Sequence, residues 1–404
     1  MSLKLLYAAF DIVPSPKGAA VHIEQFANIL SGYYQDFSLL TVAEAGLDIP
    51  ACGYLERELR AGFSQILIPA PGKNLLDRVL NFRRFLENWC SDKHFDLAHF
   101  RSPFEGLPLA RLKSERFGRL IFEVNGLPSV ELKYRYPQIA DDIVLLEKLL
   151  AQEKVCFEAA DLLITPSPVT AVYLQDRGVE KSRIRVIPNS IDLDLFSYFE
   201  AQESLAEKDI QLIYFGTLSA WQGVEQAIAA TALLSKTRSC RLKILGAAKA
   251  QQLQALVNYA RKLAVLDFVE FLPPCSQKDL LKHIHASDFV LAPLSANDRN
   301  LSQGCCPFKV LEGMASGTPV LASDLPVVQA LQGEEECIKL TKPGSAGAIH
   351  DALQELIAFP EKRLALSRQA RRRVEQNYNL KQSALLLIDA YEFVVKSLSS
   401  SAFN

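Results

Sequence analysis

Short apolar or β-branched runs alternate with amphipathic helical stretches along almost the whole chain, and this alternation occurs in two successive series. The first comprises residues 3–10 (LKLLYAAF), 37–42, 65–69, 96–100, 119–124, 161–167 and 184–189. The second restarts at 211–218 (QLIYFGTL) and continues through 241–246, 268–273, 288–294 and 318–324. Strands separated by helices of this length predict βαβ units, hence parallel sheets covered by helices on both faces. At 404 residues the chain is longer than most single domains, so each series is expected to form its own doubly wound unit. Patterning stops and charge rises over residues 197–209, SYFEAQESLAEKD, where the linker is expected. The expected domains are therefore 1–198 and 199–379, with a final helix at about 380–404 that is apolar enough to pack back onto the first. Ligands of open parallel sheets sit at the carboxyl ends of the strands, so two such domains are expected to face each other across a cleft.

Charge narrows the partners. Residues 1–200 carry 22 Lys+Arg against 26 Asp+Glu and residues 201–404 carry 22 against 20, with no charged tail, which argues against nucleic-acid binding. No run approaches the ~20 apolar residues of a membrane span, and a cytoplasmic location is expected. The helical stretch Leu75–Trp89 carries a broad apolar stripe with Arg78, Arg83 and Arg84 elsewhere, a pattern that fits either core packing or peripheral contact with an anionic inner membrane face. Eight cysteines include no CxxC pair and read as reduced, buried small residues, the adjacent Cys305 and Cys306 among them.

The richest local signal is GCCPFKVLEGMASGTPV, Gly304 to Val320. Pro307 suits the first helical position, Phe308, Leu311 and Met314 or Ala315 recur at helical spacing, and Lys309 and Glu312 then share the opposite face. Unpaired first-turn N–H groups beside Lys309 can hold a phosphate, or the two charges can form an ordinary exposed ion pair.

With the tandem domains in view, the chain resembles the retaining glycosyltransferases of family 4, which have the two-lobed GT-B fold. The resemblance rests on KGAAVHIEQFANIL, DLAHFRSPFEG, ADLLITPSPVTAVYL, IRVIPNSIDLDLF, YFGTLSAWQGVEQAI, LKILG, ASDFVLAPL and PFKVLEGMASGTPVLASD, in the family's order across nearly the whole chain. It departs from the family at three charged positions. The second Glu of the Glu-x7-Glu motif falls on Glu312, but the first falls on Gly304. The usual phosphate-binding Arg and Lys fall on Thr217 and Gln222. A subgroup with a WQG-like turn, an Arg loop and a Lys ahead of the Glu is similar to this sequence, and it implies that the charges are relocated to Arg299 and Lys309.

The resemblance implies a nucleotide diphosphate sugar as donor and a hydroxyl acceptor, glycan or glycolipid, in cell-surface polysaccharide synthesis. It also implies retention of anomeric configuration by same-face attack, without a cofactor or metal. Lys309 and Arg299 would stabilise the departing diphosphate together with the helix N-terminus formed by Pro307, Phe308, Val310 and Leu311. Glu312 would accept hydrogen bonds from a ribose diol, while Gly216 and Gly246 would admit the nucleotide to the backbone beside Thr217 and Gln222. Asn125 occupies the place of a family His near the reacting sugar, and an amide there cannot titrate. Gly18, His22, His99, Arg101, Glu123, Glu131 and Arg135 are the candidates for acceptor contact, against a purely structural role for each. Asp192 and Asp194 spell DxD yet read as a turn or cap, and His283 and His285 are two apart on a helix, which suits a zinc site poorly. The rival functions are a nucleotide-sugar epimerase on a similar fold and a nucleotide-sugar-binding partner subunit without catalysis.

Overall fold

The computed structural model describes residues 3–15, 17–205 and 208–401, which form two compact units, Met1–Ile187 with Ala384–Asn404 and Pro188–Ser383. In the first unit the sheet runs β3-β4-β2-β1-β5-β6-β7-β8. Its strands are β1 (Lys4–Ala8), β2 (Asp36–Val42), β3 (Leu55–Arg60), β4 (Phe63–Ile68), β5 (Phe95–Phe100), β6 (Phe117–Glu123), β7 (Leu162–Thr165) and β8 (Ile184–Val186). All pairings are parallel except β3 with β4. Alternate residues of one strand feed two separate cores: Leu6 and Ala8 join one cluster, Leu5 and Tyr7 the other. Burial on both faces explains why these strands read as continuous apolar runs.

The second unit has the order β11-β10-β9-β12-β13-β14, all parallel. Here β9 is Ile210–Phe215, β10 Cys240–Leu245, β11 Val269–Leu272, β12 Phe289–Ala292, β13 Val320–Ser323 and β14 Lys339–Thr341. Two strands escape the sequence pattern. The first, β3, reads LERELR with all but its first residue exposed, an edge strand with no apolar face to betray it. The second, β14, is only three residues long.

The two compact units divide at Ile187/Pro188, and the charged stretch 197–209 is not a free linker. Leu205 is buried, Phe199 N–H donates to Ser316 O at 2.9 Å, and the buried Arg363 guanidinium donates to Gln202 O at 2.7 Å and Glu203 O at 3.1 Å. Backbone carbonyls bonded to a buried cation fasten this polar segment to the second unit. The final helix, Leu380–Ser401, places Leu387, Ala390, Tyr391 and Val394 in the first unit's core, at the spacing of one helical face. Positions 402–404 of the expected helix lie outside the described residues.

The Leu75–Cys90 helix buries only part of its apolar stripe. Val79, Phe82, Leu86 and Trp89 are core, whereas Leu76 and Leu80 are 63% and 49% exposed, two turns and one turn before the exposed Arg84.

Arg363→Leu should leave its partner carbonyls buried and unpaired, destabilising the protein by about 3 kcal/mol. Urea unfolding would measure this, and a loss below about 1 kcal/mol would refute the stitching role.

Candidate functional site

The candidate site in the second unit grows from the helix Phe308–Ser316, which follows β12 through a π-helical turn, Arg299–Gln303, closed by Gly304 N–H donating to Arg299 O at 2.9 Å. Pro307 lies one position earlier than expected: it is the N-cap, with extended backbone, and Phe308 is the first helical residue. No side chain caps this helix start. Every residue from Lys309 to Ser316 is buried, so Lys309 and Glu312 are not the exposed pair that spacing allows. Val310 and Leu311 are wholly buried, and their N–H groups already donate to Pro307 O at 3.1 and 3.4 Å. Their part in the site is to seat the helix.

Lys309 is the centre of the arrangement. Its Nζ donates to Gln222 Oε1 at 2.7 Å and stands 3.8 Å from the centroid of the Tyr214 ring, whose hydroxyl donates to Thr217 O at 2.7 Å. Gly216 has a φ of +118°, and a Cβ there would lie 3.5 Å from Lys309 Cε. Gly246 must be glycine, because a Cβ would fall 1.8 Å from Gly216 O. Burial holds the Lys309 ammonium well below its ordinary pKa; Glu312 opposes the shift and Arg299 adds to it. Arg299 has its guanidinium carbon 5.5 Å from the centroid of the Trp221 ring and donates through Nη1 to Asn300 Oδ1 at 3.1 Å. Glu312 is raised to about 7 by burial, against the pull of Lys309 and a hydrogen bond with Gln277.

Thus Lys309, Gln222, Thr217, Gly216, Gly246, Arg299 and Glu312 gather around the carboxyl ends of β9 and β10 and the helix that follows β12. Tyr214, Trp221, Asn300 and Gln277 were missed by sequence reasoning. Trp221 stands next to the Gln222 already singled out, and its ring was the available signal.

In the first unit the candidates converge on Glu123, the last residue of β6. Its Oε1 lies 2.7 Å from His22 Nε2 and accepts from Asn125 Nδ2, and its Oε2 accepts from Tyr7 Oη at 2.7 Å and Arg101 Nε at 3.2 Å. Burial works to raise this carboxylate, but Arg101 and His22 outweigh it and hold it well below the usual range. His99 Nε2 is 3.2 Å from Glu123 Oε2, close but outside hydrogen-bond geometry, while its Nδ1 pairs with Tyr391 Oη at 2.6 Å. Burial depresses the His99 pKa and favours the neutral ring.

Neither His22 nor His99 sits on a loop. His22 lies in the helix opened by Gly18 (Gly18–Tyr33), and His99 lies within β5. His99 and Glu123 are enclosed, with no surface left for an acceptor. The rim keeps Asp11, missed in the sequence, 3.6 Å from Arg101 Nη1, with the charges of Lys17 and Arg135 close enough to act on it. Glu131 packs on Gly126, where a Cβ would lie 2.4 Å from its Oε1. Asp192 Oδ1 accepts from Asp194 N at 3.0 Å and Leu195 N at 3.3 Å, so the DxD caps a turn.

This geometry can be set beside known proteins. Residues 16–195 match the family model "Glycosyltransferase Family 4" and residues 198–373 match "Glycosyl transferases group 1". The chain has the GT-B glycosyltransferase fold. Sucrose-phosphate synthase from Thermosynechococcus elongatus superposes over 98% of this chain and 100% of its own, with a TM-score of 0.79 at 21% identity. Anabaena HepE in complex with UDP and glucose superposes over the same shares, with a TM-score of 0.68 at 16% identity. In sequence the chain is 23% identical over 266 residues to the D-inositol 3-phosphate glycosyltransferase of Gordonia bronchialis, covering 63% of this chain. It is 22% identical over 255 residues to the MMP alpha-(1->4)-mannosyltransferase of Mycolicibacterium hassiacum, covering 62% of this chain. It spans 56% and 58% of the length of those two relatives.

Glu312 supplies a pH prediction. Because its folded-state pKa is raised to about 7, the native protein keeps a proton that the unfolded chain releases near 4.5, and stability falls as pH rises through that window. Glu312→Gln should therefore raise the melting temperature by roughly 5 °C at pH 8 and change it little at pH 4.5. Equal shifts at both pH values in scanning calorimetry would contradict the buried-carboxylate argument.

Proposed function

We propose that this GT-B chain transfers a glycosyl unit from a nucleotide diphosphate sugar to a hydroxyl acceptor with retention at the anomeric carbon. The acceptor is a glycan or glycolipid of cell-surface polysaccharide synthesis. In this reading the second unit binds the donor, the first unit binds the acceptor, and the chain's own cations meet the diphosphate without a metal. The single observation that carries the reading is the Lys309 ammonium, buried at an uncapped helix start and held 2.7 Å from the Gln222 amide oxygen. A buried ammonium whose pKa is driven down by burial gains charge stability when an anion arrives, which favours a diphosphate over a neutral ligand.

The chemistry follows from charge. Cleaving the donor leaves additional negative charge on the departing diphosphate in an oxocarbenium-like transition state, and preorganised donors aimed at that charge supply most of the catalysis. Lys309 and Arg299 provide it, with the Phe308 N–H at the helix start. The leaving phosphate takes the acceptor proton in a same-face attack, so no nucleophile is required of the chain. Glu312 accepts from the ribose diol, and Asn125, tied to Glu123, offers its amide to a sugar hydroxyl.

One observation favours a non-catalytic nucleotide-sugar-binding subunit: Gly304, where the resemblance expects the first motif Glu, has a φ of +85° and is a turn residue without a side chain. Incubation with a panel of nucleotide sugars and acceptors, with product anomers read by NMR, separates the two. A retained anomer is expected, with Lys309→Ala weakening nucleoside diphosphate binding and lowering turnover about 100-fold. Donor binding without turnover would favour the subunit, and product formed without acceptor would favour an epimerase.

Peripheral membrane contact belongs to the same proposal. Among the described residues no helix is long and apolar enough to cross a membrane. Yet Leu76 and Leu80 stay exposed, and Leu80 borders a groove of about 590 Å³ lined also by Arg83, Arg84, Arg111 and Val155. Apolar side chains beside arginines fit an anionic lipid surface. The protein should float with phosphatidylglycerol vesicles and the Leu76→Asp/Leu80→Asp variant should not; a wild-type protein left entirely in the soluble fraction refutes the contact.

A further inference from the structure

The proposed diphosphate site draws on two segments distant in sequence, the turn Trp221-Gln222-Gly223 and the π-helical turn opened by Arg299. A buried side chain ties them by hydrogen bonds. Asn300 is fully buried, and its Nδ2 donates to Ser295 O at 2.9 Å and to Trp221 O at 3.3 Å, while its Oδ1 accepts from Arg299 Nη1 at 3.1 Å. Its main-chain N–H donates to Asn297 O at 3.0 Å and Asn297 Oδ1 at 3.1 Å. Cys305 Sγ approaches the same Oδ1 at 3.8 Å, and Ser295 N–H completes the seam by donating to Trp221 O at 3.0 Å.

We infer that Asn300 is a positioning residue for the diphosphate cations: it aims the Arg299 guanidinium and pins the turn whose Gln222 holds Lys309. This rests on the reading that Arg299 and Lys309 bind the diphosphate. An amide is the side chain that fits, because the position calls for two donated hydrogen bonds and one accepted bond from the same short group. Aspartate would lose both donors and place a carboxylate on Arg299, where it competes with phosphate for the guanidinium. The pinned turn cannot easily shift in compensation: Gly223 has a φ of +66°, and a Cβ there would lie 1.8 Å from Pro293 O. A displacement of ~1 Å in a cation aimed at developing charge can cost about 100-fold in rate, so a residue that touches no substrate can still govern turnover.

The test compares Asn300→Asp, Asn300→Ala and Arg299→Ala with the wild-type protein. The ligand is whichever of UDP, GDP and ADP most raises the wild-type melting temperature, and the matching nucleoside lacking phosphates is the control. Calorimetry should show the diphosphate bound at least about tenfold more weakly by Asn300→Asp and the nucleoside changed less than about threefold. Asn300→Ala serves if the buried aspartate prevents folding, and combining it with Arg299→Ala should cost clearly less diphosphate affinity than the sum of the two single losses. Hydrogen exchange without ligand should quicken in both 217–223 and 295–304 in either Asn300 variant.

Equal losses for nucleoside and diphosphate, additive effects of the two alanines, or unchanged exchange in the 217–223 turn would each overturn the inference. Unchanged diphosphate affinity in Arg299→Ala, with exchange quickened by the Asn300 variants, would instead show that the parent reading fails, and the positioning role falls with it.

Discussion

A buried ammonium is the most demanding feature of the second unit. Lys309 is 7% exposed, and its immediate neighbours are a neutral amide oxygen, the face of Tyr214 and the edge of a glycine. None of these is a full negative charge within contact distance, and a lysine so enclosed costs stability unless its surroundings are fixed in advance. Those surroundings are fixed. The Tyr214 hydroxyl is spent on Thr217 O, Gly216 and Gly246 cross too closely for any side chain, and the Gln222 turn is tied down through Trp221 O. Energy is thus held at Lys309, and the proposed diphosphate would relieve it.

The first unit solves the opposite problem. There a single carboxylate, Glu123, is surrounded by donors from β1, from Arg101 just past β5 and from the Gly18–Tyr33 helix, and the final helix adds Tyr391 through His99. Its charge is compensated inside the protein, so the network chiefly locks the carboxyl ends of three strands together. What it leaves for chemistry is the rim: the Asn125 amide, Asp11 and the Arg135 charge.

Much of this was legible in the sequence where physics acts locally. Strands buried on both faces announce themselves as apolar runs, and the helix after Pro307 could be read from its periodicity and its proline. The reading failed where tertiary contacts decide. The exposed edge strand LERELR has no apolar face, the charged stretch at 197–209 is bound by Arg363 from a helix more than 150 positions away, and Asn300 looks like any polar loop residue until its three partners are assembled. Resemblance supplied Lys309 and Arg299 as relocated cations, but not the aromatic rings beneath them. Conversely, His22, His99, Arg101 and Glu123 drew attention as polar groups near strand ends, and the structure spends most of their hydrogen-bonding capacity on one another.

Two of the three lost charges fit the residues around them. A lysine at 222 would put its ammonium against that of Lys309, at a spacing where two buried like charges repel strongly, so the amide at 222 and the lysine at 309 are coupled choices. Gly304 has a φ of +85°, which disfavours a glutamate side chain there, and the π-helical turn it closes is what carries Arg299 to the Trp221 ring. Restoring the family's residues one at a time would therefore damage the present site without building the other. On the proposed reading, the charge set is a single alternative solution to holding a diphosphate, its members fitted to one another.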